Sequence, residues 1–282
     1  MNASGNNDLE VLTKIPGGKK LVHETPLLFI HGAYTAAWCW EEHFLPWFAG
    51  KGYFSYALSL SGHGASRGRK QIDSFSINDY VDDVATVVDA LPAPPVLIGH
   101  SMGGFVVQKY LERSVQGSSR SAAGTRPRIP AAVLMCAVPP QGLMSSAFGL
   151  MFQKPGLMSE LNNLMGGRRV SADTLREALF AQPLSEADLQ RYLRFSQRES
   201  HRAIWDMTLF NLPHPSRIKD TPLLVLGAGL DHLIPASLVG MTASTYGVQA
   251  EIFPGMGHGL MLERDWQKVA EHIRAWLAQR EI

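Results

Sequence analysis

The 282-residue chain has only two cysteines, Cys39 and Cys136, little charge and no long apolar run. Two thiols are too few for a disulfide framework or a structural zinc site. Lysine and arginine number 26 against 25 acids, a formal net charge of +1. Neither nucleic acid nor an anionic membrane is therefore expected as an obligatory partner. The one basic stretch, Arg113, Arg120, Arg126 and Arg128, lies in a Ser/Gly/Ala-rich segment without acids and reads as a solvated loop. No apolar stretch approaches the roughly 20 residues of a membrane span. The polar start, Met1-Asn2-Ala3-Ser4-Gly5, lacks the charged lead and apolar run of a secretion signal, so a soluble cytoplasmic protein is expected. Metal-ligand and dinucleotide signatures are missing too, and no metal or organic cofactor is expected.

What the chain does have is 45% apolar residues, set out as short apolar runs alternating with amphipathic stretches. Strands are predicted over 27–30, 53–60, 95–98, 131–138, 222–227 and 249–253. Helices are predicted over 38–50, 77–91, 104–111, 236–246 and 264–279, with Ser76 as an N-cap and Asp79 three residues on. Weaker strand signals at 10–15 and 20–23 read as edge strands, with a hairpin over Pro16-Gly17-Gly18 as one way to join them. This alternation implies an α/β fold, a mostly parallel central sheet with helices on both faces.

Residues 140–215 break the alternation. They read as a helical cap inserted into a core made of residues 1–139 and 216–282. Within them Leu143-Met144, Leu150-Met151, Leu157-Met158 and Leu164-Met165 recur every seven residues. Pro155-Gly156 and Gly166-Gly167 interrupt the register, which fits two short helices better than a coiled coil. Packing of the cap on the core and a pocket lined by flexible thioethers both fit this repeat.

Gly99-His100-Ser101-Met102-Gly103 matches G-x-S-x-G between an apolar strand and a helix. A serine at such a turn is lifted from the backbone, and small neighbours let the turn close. Its hydroxyl needs a base, and the base needs a carboxylate to fix its tautomer. Of ten histidines, His258 lies in the glycine-rich loop Gly255-Met256-Gly257-His258-Gly259 between the last strand and the last helix. His232 directly follows Asp231, His31 and His100 flank strand ends, His201 and His214 belong to the cap, and His23, His43 and His272 read as surface or helix-face residues. The carboxylate is assigned to Asp231, just beyond the 222–227 strand, because the alternative loop reads Ala137-Val138-Pro139-Pro140 and holds no acid. The oxyanion donors expected are the backbone N–H groups of Met102, at a helix start, and Ala33, after His31-Gly32.

These motifs together, with Gly62-His63-Gly64-Ala65-Ser66 and the Asp231–Pro235 loop, resemble the α/β-hydrolase superfamily over most of residues 27–282. The first loop, His31-Gly32-Ala33-Tyr34 leading to Trp38-Cys39-Trp40, is similar to that of small methylesterases and hydroxynitrile lyases. The resemblance implies a serine hydrolase cleaving a small-to-medium apolar carboxylic ester through an acyl-enzyme. A thioesterase or C–C bond hydrolase would use the same triad. A lyase or cofactor-independent oxygenase, or a non-catalytic small-molecule receptor, shares the fold. Tyr34, Phe148, Trp205 and Phe210 are candidates to line the substrate pocket.

Overall fold

The structure, a computed structural model, describes residues 8–17, 22–117, 128–144, 154, 156, 159–160, 163, 171–218 and 220–282. Seven strands form one sheet: β1 (Val11–Lys14), β2 (His23–Ile30), β3 (Tyr53–Leu58), β4 (Val96–His100), β5 (Ala132–Met135), β6 (Leu223–Ala228) and β7 (Ala250–Phe253). Their spatial order is β1-β3-β2-β4-β5-β6-β7, with β1 antiparallel and all other pairs parallel.

The inner strands are covered on both sides, so their sequences are continuously apolar rather than alternating. Leu27 and Phe29 of β2 point into one core with Trp40, Phe44 and Phe48. Leu28 and Ile30 point into the other with Tyr80, Val84 and Val106. Helices α1 (Trp38–Glu41), α2 (Phe44–Gly50) and the last helix, α9 (Trp266–Ala278), cover the first face. Helices α3 (Ile77–Ala90), α4 (Met102–Gly117) and α8 (Ala236–Thr245) cover the second. Each fully buried Leu, Ile or Phe contributes about 1.5–3 kcal/mol by leaving water. Helix α3 starts at a full capping box: Ser76 Oγ accepts the Asp79 amide and the Asp79 carboxylate accepts the Ser76 amide at 2.7 Å.

Two local expectations are corrected. The 38–50 helix is two helices, broken at His43, whose φ of −137° is not helical. Pro46 has no N–H to give the carbonyl of Glu42, and its ring would strike that carbonyl in a continuous helix. Among the described residues β1 does not pair with β2: it pairs with β3, from Val11 opposite Leu58 to Lys14 opposite Ser55. That pairing covers what would be the open ladder of β3.

Between β5 and β6 lie α5 (Ala172–Leu179), α6 (Glu186–Phe195) and α7 (His201–Trp205), the last running into a π turn at Asp206–Phe210. Ser171, Ser185 and Ser200 cap the three helices through the amides of Thr174, Asp188 and Ala203. Of the seven-residue Leu-Met repeat, only Leu143 and Met144 fall within the described residues. Among those residues no helix is long and apolar enough to cross a membrane.

The chain steps from β2 outward to β3, then back across to β4 on the other side of β2. Reversal of this kind opens a crevice at the carboxyl ends of the two strands, where ligands bind in open parallel sheets. His31 and Ser101 are the residues that leave those two ends.

Candidate active site

Three residues with side chains adopt left-handed backbone at this edge of the sheet: Tyr34 (φ 64°), Ser101 (φ 52°) and Cys136 (φ 43°), following β2, β4 and β5. Such a conformation costs a Cβ-bearing residue roughly 1–2 kcal/mol. At Ser101 the surroundings impose it. The Ser101 amide donates to the Met135 carbonyl at 3.0 Å, and the Val138 amide donates to the Ser101 carbonyl at 3.2 Å.

The glycines of the motif have a steric reason. A Cβ on Gly99 would lie 2.5 Å from the Gly103 carbonyl oxygen, and one on Gly103 would collide with the carbonyls of Ile30 and His31. Helix α4 therefore packs backbone-to-backbone on the end of β2. Gly32 is equally tight, its Cβ position lying 3.0 Å from Ser101 Cβ. The loop carrying Ala33 thus passes directly against Ser101. Met102 opens α4, where first-turn amides lack helical partners and the dipole favours negative charge.

Asp231 and His258 are brought together from β6 and β7. His258 Nδ1 and Asp231 Oδ2 are 2.7 Å apart, with both side chains buried. Asp231 Oδ1 accepts the amides of Leu233 at 2.8 Å and Ile234 at 2.9 Å. Cys136 Sγ lies within 4.8 Å of the nearest Asp231 carboxylate oxygen; burial first, and then that negative charge, push the thiol well above its ordinary range. Cys136, Asp231 and His258 offer three ligand atoms within 4.8 Å of one another. The amides of Leu233 and Ile234 and the Nδ1 of His258 converge on Asp231, an arrangement in which a carboxylate orients the imidazole with Nδ1–H toward it. Among the described residues the hydrogen bonds run from the Leu233 and Ile234 amides through Asp231 to His258; Ser101 follows β4, on the same edge of the sheet.

The other histidines of this edge are pinned. His100 Nε2 donates to the His258 carbonyl at 2.9 Å. Burial, then the neighbouring His258, push His100 down to about 3, so it stays neutral. His31 accepts the Leu60 amide at Nε2, 3.1 Å, and donates from Nδ1 to the Gly32 carbonyl, 2.8 Å. Burial, then His63, lower it likewise to about 3.

Of the residues proposed from sequence for the pocket, Tyr34 sits beside Ala33, half-buried. Trp205 and Phe210 are exposed, their rings 6.2 Å apart. Phe148 lies outside the described residues. Three contributors carry no sequence signal of their own: Cys136 at the end of β5, Glu263 beyond the His258 loop, and Glu199 in the β5–β6 insertion. His63 belonged to a motif, Gly62-His63-Gly64, but had no assigned partner.

The chain is similar in sequence or in fold to several known proteins. A monoacylglycerol lipase from Mycolicibacterium smegmatis is 26% identical over 278 residues, 93% of this chain and 94% of that protein. A non-heme chloroperoxidase from Burkholderia pyrrocinia is 35% identical over 116 residues, 41% of this chain and 38% of that one. The solved structure of an esterase from Exiguobacterium antarcticum superposes with a TM-score of 0.74 at 18% identity, covering 96% of this chain and 95% of the other. The model of the alpha/beta hydrolase family matches residues 27–272. With that match spanning nearly the whole sheet, the chain belongs to the alpha/beta hydrolase family.

Proposed function

We propose that the protein is a serine hydrolase cleaving carboxylic esters of small-to-medium apolar compounds through an acyl-enzyme. The observation that carries this reading is the buried 2.7 Å contact between His258 Nδ1 and Asp231, which leaves Nε2 free to take a proton. Ser101 Oγ attacks the ester carbonyl as His258 Nε2 removes the hydroxyl proton. The amides of Met102 and Ala33 hold the oxyanion. Collapse breaks the bond to the alcohol, which leaves with the proton from His258. A water then loses a proton to His258 and adds to the acyl group, and the acid departs as Ser101 regains its hydrogen.

Residues 140–215 serve as a cap over the sheet edge and supply the apolar side of the substrate site. An apolar ester agrees with the name of the lipase relative, and ester chemistry with the esterase of like fold. Incubation with a fluorophosphonate followed by peptide mass spectrometry is expected to place the label on Ser101. A panel of p-nitrophenyl esters graded by acyl length is expected to turn over, and Ser101→Ala to abolish that turnover. Retained ester hydrolysis in Ser101→Ala, or a label on another residue, would overturn the assignment.

A further inference from the structure

Glu199 lies in the β5–β6 insertion, far in sequence from every residue of the proposed reaction, and its side chain is entirely buried. Its carboxylate gathers four donors. His63 Nε2 approaches Oε2 at 2.9 Å, the Tyr80 hydroxyl donates to Oε1 at 2.7 Å, and the Ser200 amide donates to Oε1 at 2.7 Å. The fourth is the Tyr34 amide, 3.4 Å from Oε2. The other ring nitrogen of His63 donates to the Ser61 carbonyl at 3.1 Å, so both its nitrogens act as donors and the pair is an ion pair.

Two residues along the insertion, the Gln197 amide donates to the Tyr34 carbonyl at 3.0 Å. Tyr34 is thus held at both polar backbone atoms by one short segment, residues 197–199, in the left-handed conformation that a tyrosine does not adopt unaided. The same segment grips the neighbouring loop, where Gln197 Oε1 accepts the Gly64 amide at 3.1 Å. A buried ion pair is a poor source of stability, since desolvation consumes much of its attraction and an apolar pair of equal volume often serves as well. What such a pair gives reliably is one fixed geometry.

We infer that the insertion builds part of the reaction centre: Glu199, anchored by His63, is a positioning residue that fixes Tyr34 and with it the Ala33 amide in the oxyanion hole. This rests on the reading of Ala33 as an oxyanion donor. The residue touches no substrate; it acts through the peptide that follows the donor.

The test compares wild type with Glu199→Gln, which keeps the shape and loses the charge, and with the double variant His63→Gln/Glu199→Gln, which leaves no unpaired buried charge if the single variant fails to fold. For each, kcat and KM are measured on p-nitrophenyl acetate, together with the Ki of a trifluoromethyl ketone that forms a tetrahedral adduct. Loss of a whole oxyanion donor costs about 100- to 1,000-fold, so a displaced one is expected to lower kcat by about 10- to 100-fold. The ketone Ki should rise by a similar factor, with KM little changed. A folded variant with kcat within twofold of wild type overturns the proposal, as does a fall in kcat with the ketone Ki unmoved. Wild-type protein that neither hydrolyses the ester nor binds the ketone overturns the hydrolase reading itself, and the role of Glu199 with it.

Discussion

Glu263 Oε1 accepts the Gly257 amide at 2.6 Å, one residue before His258. The same carboxylate takes the amides of Ala181 at 2.7 Å and Gln182 at 3.2 Å, and the Gly259 amide donates to the Leu179 carbonyl at 2.7 Å. The histidine loop is therefore stitched to the end of α5 in the insertion. A glutamine at this position would turn an amide NH2 toward backbone donors. Glu263→Gln is expected to cost about 1–3 kcal/mol, the penalty for buried donors left unmatched. Urea unfolding measures it, and a loss below a few tenths of a kcal/mol would show that the stitch is not structural.

Glycine at position 103 is a requirement of contact, since a Cβ there meets the backbone of β2. Gly103→Ala is expected to shift α4, abolish serine labelling and destabilise the fold by about 1–3 kcal/mol, as overpacking does. Gly240, inside α8, has nothing within 4 Å of its Cβ position. Gly240→Ala should raise stability by about 0.5–1 kcal/mol through helix propensity and a less flexible unfolded chain. Thermal melts of the two variants should move in opposite directions.

Cys136 Sγ lies within 4.8 Å of an Asp231 carboxylate oxygen, and a donor at this position is expected to brace Asp231. Cys136→Ala removes that donor, whereas Cys136→Ser supplies a hydroxyl in its place. On the proposed mechanism the alanine variant should lose about 3- to 10-fold in kcat, the worth of an ordinary hydrogen bond of about 0.5–1.5 kcal/mol. The serine variant should retain most of it. Equal activity of both would show that Asp231 is fixed by its amides and His258 alone.

Stability should peak near neutral pH. His31 and His100 have pKa values of about 3 when folded, against about 6.5 in an unfolded chain. Below pH 6.5 the unfolded chain binds protons that the folded one refuses, so their stabilisation is lost as pH falls toward 3. Asp83, raised by burial to about 6, works the opposite way and offsets one of the two between about pH 6 and pH 4. One proton's slope, about 1.4 kcal/mol per pH unit, remains. At His63 burial acts to lower the pKa, but the charge and hydrogen bond of Glu199 outweigh it and raise the value. That stabilisation is complete below pH 6.5 and lost as pH climbs through the raised value. Denaturant unfolding between pH 4.5 and 8.5 should show both limbs, and a flat profile would contradict these protonation states.

Much of the fold was legible because its signals are local. The strands at 27–30 and 95–98 announce themselves as unbroken apolar runs, since both faces are covered. Ser76 and Asp79 mark the start of α3 by reciprocal hydrogen bonds three residues apart. The split at His43 could have been read from Pro46; the aromatic spacing of Trp40, Phe44 and Phe48 masked it. The partner of β1 could not, because edge pairing depends on which ladder is left open after the sheet assembles.

For the site, the sequence by itself determined where Ser101, Asp231 and His258 stand, at the ends of strands β4, β6 and β7. Strand ends in a parallel sheet share one edge, and the glycine at 99 is demanded by contact with the backbone of Gly103 and Gly104, a few residues on. Only the tertiary structure decided what holds that edge in shape. His63 and Glu199 are 136 residues apart, and Glu263 and Ala181 are 82 apart. No periodicity or spacing encodes such pairs, because a buried carboxylate finds its donors only after the insertion has folded back onto the sheet.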